Sequence, residues 1–444
     1  MLRIAFHYLG CRLNEAENEQ LARAFVASGH EMCALEDHPD VILLNTCGVT
    51  SEAMRKSRNL ARRMAALHPR LLILMGCAVD LMETGENPLS DDELQAAADE
   101  NTADAEPLSV VRILSKDKPN AAQIIHQAIA DCQWAQDIAP EPPQPPSYKL
   151  RMRSFIKIQD GCNNKCTYCA VRLARGPERS EPAQKIIDEI NTCLRLGERE
   201  IVLTGVQLGA YRQGAYVLKD LITDILAQTP VERLRLSSIE PWHIRPELWA
   251  FWKDTRLCPH FHIPVQSGSD DVLTAMKRRT PIDGYLQKLE AIRADIPNVR
   301  ISTDLIVGFP GETEDMWQET LEFIRNASFD DVHLFRFSAR PNTLAALLPD
   351  PVPPDIKRKR WNEAETLIES IKAQRLNQTV GSKLHILWEQ MLSTDDKYIL
   401  WQGYSENYLR ITRKFPKEIN MRGTISEDIF QSEDINLNIS RTQG

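Results

Sequence analysis

The sequence predicts an α/β protein of three parts: an N-terminal open sheet flanked by helices, a partial TIM-like (βα)6 barrel, and a small C-terminal β-barrel of OB type. Three observations predict it. Apolar runs alternate with amphipathic stretches from Leu2 to Met75, and the same alternation restarts at Tyr148. Between them, Pro140-Glu141-Pro142-Pro143-Gln144-Pro145-Pro146 forms a stiff, extended boundary. From about Gly381 the pattern changes to short strands with polar turns. The expected division is 1–138, a linker at 139–147, a barrel at 148–378 and a β domain at 379–444. A length of 444 residues fits two or three domains.

In the first part, Leu2–Leu9, Val41–Asn45 and Leu71–Met75 read as strands, with helices at Asn14–Ser28 and Ser51–Leu67. Gly10-Cys11, Asn45-Thr46-Cys47 and Gly76-Cys77 end those strands. The carboxyl ends of parallel strands share one rim, so Cys11, Cys47 and Cys77 are brought together there. The acidic stretch 79–117 has weak periodicity and reads as a partly mobile insertion. A further helix covers Ala121–Trp134.

In the second part, strands are expected at Phe155–Gln159, Glu200–Leu203, Arg233–Ser237, His260–Val265, Val299–Val307 and Asp331–Phe337. Ala183–Leu196 and Thr313–Ile324 are helices between them. Gly161-Cys162-Asn163-Asn164-Lys165-Cys166-Thr167-Tyr168-Cys169 follows the first strand. Thiolates are soft ligands for iron–sulfur clusters, and three of them leave one iron of a 4Fe–4S cluster open. A zinc loop normally adds a second CxxC knuckle, and none follows.

Composition sets bounds. No apolar stretch approaches membrane-spanning length and the start carries no signal-peptide pattern, so the expectation is a cytoplasmic protein without a membrane partner. Ten cysteines in a reducing compartment point to metal ligands or packing rather than disulfides; Cys33, Cys132, Cys193 and Cys258 lack motif context and read as packing. A net charge of −9 argues against nonspecific coating of nucleic acid.

The Gly161–Cys169 loop resembles the signature of radical S-adenosylmethionine (SAM) enzymes, with Tyr168 as the aromatic before the third cysteine. Gly10-Cys11-Arg12-Leu13-Asn14, Asn45-Thr46-Cys47-Gly48-Val49-Thr50 and Gly76-Cys77-Ala78 resemble the cysteine motifs of the methylthiotransferase N-terminal domain. That resemblance implies two 4Fe–4S clusters, one held by Cys162, Cys166 and Cys169 and one by Cys11, Cys47 and Cys77. It also implies SAM as cofactor, with reductive cleavage of SAM at the first cluster and sulfur handled at the second. Thr204, Gly205 and Val206 match the element that holds the SAM amino group, and Glu240 is a further candidate contact.

Thr204-Gly205-Val206-Gln207-Leu208-Gly209-Ala210-Tyr211 and Arg175-Gly176-Pro177-Glu178-Arg179-Ser180 resemble the branch acting on N6-threonylcarbamoyladenosine beside the tRNA anticodon. The isopentenyladenosine branch and a non-catalytic iron–sulfur RNA-binding protein are the alternatives. The resemblance implies the tRNA anticodon arm, an external electron donor and a sulfur donor as partners. Two stretches are candidates for holding RNA: Arg55, Arg58 and Arg62 on one helical face, and Trp401–Ser405 with Arg410, Arg413 and Lys414 in a segment similar to the TRAM domain. The tail after Asn436 reads as frayed.

Overall fold

The computed structural model describes residues 1–83, 89–99, 107–132, 134 and 152–439; the expected linker, 139–147, lies outside the described residues. The chain packs as two compact units. One comprises Met1–Lys149 with Asp160–Arg179 and Ser338–Ala346, the other Leu150–Gln159, Ser180–Phe337 and Leu347–Gly444.

The first unit contains β1 (Arg3–Tyr8), α1 (Arg12–Ala27), β2 (Glu31–Met32), β3 (Val41–Thr46), α2 (Ser51–Ala65), β4 (Leu71–Gly76), α3 (Cys77–Glu83), α4 (Asp91–Asp99), β5 (Ser109–Ile113) and α5 (Ala121–Asp131). Its parallel sheet runs β2-β1-β3-β4-β5. Every residue of β3 and β4 is buried, as their uninterrupted apolar runs require of strands covered on both faces. Val41 and Leu43 pack with Phe25 and Ile125 on one face. Ile42 and Leu44 pack with Ala61, Met64 and Leu94 on the other.

The expected insertion is corrected here. Among its described residues, 79–117 supplies helix α4 and the edge strand β5, which pairs in register with β4. Its acidic residues are absorbed by neighbours: Glu93 takes Arg62 at 2.7 Å and Asp91 takes Arg112 at 2.5 Å. Both pairs are surface pairs that fix orientation more than stability.

The second unit follows the βα pattern. Its elements begin with β6 (Arg153–Asp160), whose last residue enters the first unit together with α6 (Val171–Arg175) and the first residue of β7 (Arg179–Ser180). They continue with α7 (Ala183–Arg195), β8 (Glu200–Gly205), the hairpin β9 (Arg212–Gln213) and β10 (Tyr216–Val217), α8 (Leu218–Gln228), β11 (Arg233–Leu236) and α9 (Pro246–Trp249). Then come β12 (His260–His262), α10 (Asp270–Ala275), α11 (Ile282–Asp295), β13 (Arg300–Val307), α12 (Glu314–Ala327), β14 (Asp331–Arg336) and the long α13 (Pro354–Thr379). Strands β7-β6-β8-β11 form one sheet and β12-β13-β14 another. Single parallel bridges, Ser238 with His262 and Leu234 with Leu257, join them, so the six predicted strands curl as an open barrel. Strand β12 is shorter than expected, because the chain leaves the ladder after His262 and returns only for the bridge from Gln266 to Leu305.

The end of the chain is antiparallel: β15 (Lys383–Thr394), β16 (Tyr398–Ser405), β17 (Arg410–Pro416) and β18 (Ile425–Ile429), ordered β17-β16-β15-β18. Register shifts at Trp388/Gln390 and Met391/Ser393 let the sheet coil. Helix α14 (Asp434–Ile439) covers it with Ile435 and Ile439, which corrects the fraying expected after Asn436 for residues 437–439; residues 440–444 lie outside the described residues. This sheet seats on the amino ends of barrel strands, away from the strand ends that carry the motifs. Glu200 pairs with Arg233 and Arg235 at 2.7 Å each, Arg235 stacks on Tyr408, and Arg153 pairs with Glu389 and stacks on Tyr404.

Candidate functional site

The three N-terminal cysteines stand at the carboxyl ends of β1, β3 and β4, neighbours at the centre of the sheet. Cys11 is the N-cap of α1 and Cys77 the first residue of α3. Gly10 has φ +120°, and a Cβ there would lie 2.6 Å from the Cβ of Cys47, so only glycine lets the two strand ends meet. Ser57 of α2 clasps Cys47 from both sides. Its Oγ accepts from the Cys47 N–H at 3.1 Å and donates to the Cys47 carbonyl at 2.8 Å.

Burial pushes the Cys47 thiol up to about 12, with the charges of Cys77 and Cys11 close enough to add to the rise. Burial raises Cys77 as well, while Arg175 pulls it back towards the thiolate. Thiols so placed are protonated when free, and a bound metal must displace those protons. Three soft donors converging on one rim fit an iron–sulfur cluster.

Arg175 is the residue the cysteine motifs do not disclose. Its side chain is 1% exposed and every branch is used. Nε donates to Cys77 Sγ at 3.2 Å, Nη1 to Glu17 and Asp160 at 3.0 Å each, and Nη2 to Asn14 Oδ1 at 2.7 Å. Glu17 also takes the buried Lys118 at 2.7 Å and Asn45 at 3.0 Å. Asn14 donates to the carbonyls of Leu9 and Thr46, tying the ends of β1 and β3. The result is a closed set of charges beneath the cysteines, each cation matched by a carboxylate.

The loop trio belongs to the same unit. Gly161 has φ +70°, and a Cβ there would strike the Pro177 carbonyl at 2.0 Å. The turn it allows lets Cys162 N–H donate to the Gly176 carbonyl at 3.0 Å. Asn164 N–H donates to Cys162 Sγ at 3.4 Å, and Asn163 is held by Glu178 through backbone and side chain. Ala345 N–H donates to Thr167 O at 2.8 Å, so the segment after the barrel straps the loop. Tyr168 is half-buried. Three thiols in one short turn, with a backbone N–H on a sulfur, suit a cluster ligand set.

At the barrel strand ends, Thr204 is buried and Gly205 and Val206 are half-buried. Gly205 fits against a bulge in β6, where a Cβ would lie 3.0 Å from the Gln159 carbonyl. Glu240 is held by Arg278 at 2.5 and 3.1 Å and by Gln207 at 3.4 Å, so it offers a ligand a carboxylate already neutralised. Tyr211 is buried with its hydroxyl on the Glu181 carbonyl and belongs to the core. Thr313 caps α12, and Glu312 is buried against Arg360, giving both a structural role.

The C-terminal RNA candidates are corrected. Trp401 is core, Tyr404 lies under Arg153, Arg413 is clamped by Asp428 and Asp434, and Arg410 donates to the Leu437 carbonyl of α14. Only Lys414 of that set stays largely exposed, 3.8 Å from Asp395. On α2, Arg62 and Arg58 face Glu93, which leaves Arg55 and Arg63 exposed. No helix among the described residues is long and apolar enough to cross a membrane.

Residues 156–324 match the radical SAM superfamily, and residues 3–98 match the uncharacterized protein family UPF0004. A threonylcarbamoyladenosine tRNA methylthiotransferase of Thermotoga maritima is 33% identical over 92% of this chain and 91% of its own. The Bacillus subtilis protein of that name is 29% identical over 93% and 91%. A tRNA-2-methylthio-N(6)-dimethylallyladenosine synthase of Caldicellulosiruptor saccharolyticus is 30% identical over 85% and 80%. The radical SAM methyltransferase TsrM of Kitasatospora setae shares the fold at TM-score 0.54 and 11% identity, over 76% of this chain and 73% of that one. With its cysteine loop inside the radical SAM match and relatives spanning nearly its whole length, the chain belongs to the radical SAM methylthiotransferase family.

Proposed function

We propose that this enzyme adds a 2-methylthio group to N6-threonylcarbamoyladenosine beside the anticodon of tRNA. The observation that carries the reading is a relative of that name, 33% identical across nine-tenths of both chains, joined to two cysteine trios in one compact unit. Cys162, Cys166 and Cys169 would hold the cluster that binds SAM, and Cys11, Cys47 and Cys77 a second 4Fe–4S cluster. When bound, these groups supply the reducing electron, the carbon radical and the sulfur. The resemblance assigns SAM contacts to Thr204, Gly205 and Val206 at the barrel strand ends, with Glu240, held by Arg278, a further candidate, and gives Tyr168 a place in the cysteine loop. Arg175 would hold Cys77 in place and favour its thiolate. Turnover requires an external electron donor and a sulfur donor. Exposed Arg55 and Arg63 on α2 would meet anticodon-arm phosphates, a contact that positions the RNA without reading its sequence.

The dimethylallyl relative, 30% identical over 85% of this chain, supports a second reading in which isopentenyladenosine is the substrate. Anticodon stem-loops bearing threonylcarbamoyladenosine, isopentenyladenosine or plain adenosine separate the two. Methylthiolation of the first alone is expected, and equal turnover of the isopentenyl substrate contradicts the assignment. Replacing Cys77 by serine should abolish methylthiolation and leave reductive SAM cleavage, measured as 5′-deoxyadenosine, largely intact.

A further inference from the structure

We infer that His262, Asp304 and His333 form a binding site for a divalent transition-metal ion, sharing no residue with the six motif cysteines. Side chains alternate across a strand, and Phe261, Ile301, Leu305, Val332 and Leu334 of β12, β13 and β14 fill the helix-covered core. His262, Ser302, Asp304 and His333 therefore share the opposite, concave face of that sheet. The register brings them together: Asp304 lies directly beside His333, and His262 beside Ser302, one diagonal step away.

Both imidazoles converge on a single oxygen. His262 Nε2 and His333 Nδ1 each lie 3.2 Å from Asp304 Oδ1, and the rings stack with centroids 5.2 Å apart. One ligand atom from each residue falls within 4.8 Å of the other two. Two imidazoles and a carboxylate suit zinc, iron(II) or manganese(II). The other nitrogen of His262 is 2.9 Å from Ser302 Oγ, which also reaches the Phe261 carbonyl, so the ring is oriented from behind as ligating histidines are. The His333 side chain is 54% exposed, which leaves an entry path and open coordination positions for water or another oxygen donor.

The test uses cluster-reconstituted protein, wild type and His333→Ala, dialysed against micromolar zinc sulfate, with zinc and iron counted in the same samples. His333 is exposed, so the variant keeps its fold, and equal iron in the two certifies equal clusters. One more zinc per chain in the wild type is expected, bound at least about tenfold more tightly than any zinc in the variant. Asp304→Asn should lose the same ion. Equal zinc in wild type and His333→Ala, or none taken up by the wild type, overturns the site and means that the three side chains only hydrogen-bond one another.

Discussion

The two cysteine trios reach the same donor set by opposite routes. Cys162, Cys166 and Cys169 lie in one turn, held by chain connectivity and by backbone bonds to Gly176 and Glu178. Cys11, Cys47 and Cys77 stand at the ends of three strands and converge only because the sheet forms and Arg175, Glu17, Asp160 and Lys118 neutralise one another beneath them, with Asn14 accepting from Arg175. A ligand set made by connectivity should survive local damage to the sheet. One made by the fold should not.

Arg175→Ala should break that comparison most severely. It leaves Glu17 and Asp160 short of a partner in a dry site, at a cost of about 3–5 kcal/mol. Chemical denaturation measures the loss, and iron analysis should show the rim cluster depleted before the loop cluster. Arg175→Lys should recover little, since an ammonium cannot span four partners in fixed planar geometry.

Glu200→Gln probes a buried network that touches neither trio. Burial pushes the Glu200 carboxyl up, but Arg235, Arg233 and Arg153 outweigh it and hold it far below the usual range. Losing its charge should cost about 3 kcal/mol while both clusters load normally. A depressed folded-state pKa contributes stability that is present above the unfolded value, about 4.3, and fades as pH falls below it. The gap between wild type and variant in denaturation should therefore be constant near neutrality and shrink only below about pH 4.3. The same network means that truncation after Gln378 would expose Arg153, Arg233 and Arg235, so the C-terminal sheet is a stability element of the barrel.

The smallest effect is expected from Thr50→Ala. Its hydroxyl accepts from Ala53 N–H at 3.0 Å at the start of α2, a cap worth about 1 kcal/mol. Thermal melts should register that loss, and the loop cluster should not change.

What the sequence disclosed follows the same division. Each motif cysteine was legible because its neighbours are local: a glycine, a strand end, a short gap. Arg175 was visible only as part of a branch motif, because its partners Asn14, Glu17 and Cys77 are distant in sequence. Glu15, Glu17 and Glu19 give helix α1 a charged start, yet all three are buried, and Glu17 reaches Arg175 and Lys118, which are distant in sequence. At the other end, Trp401 and Arg413 resemble an RNA surface because helix α14, which claims Arg413 through Asp434, comes from a short stretch whose apolar residues, Ile435, Leu437 and Ile439, alternate with period two and do not read as a helix. The histidines of the barrel face gave no signal, because only cross-strand register unites them.

The most direct test of two separately held trios is iron content after anaerobic reconstitution of three proteins: wild type, Cys162→Ala/Cys166→Ala/Cys169→Ala, and Cys11→Ala/Cys47→Ala/Cys77→Ala. The expected values are about eight, four and four irons per chain, with SAM cleavage retained in the third protein and absent from the second. Eight irons in either triple variant, or four in the wild type, would contradict it.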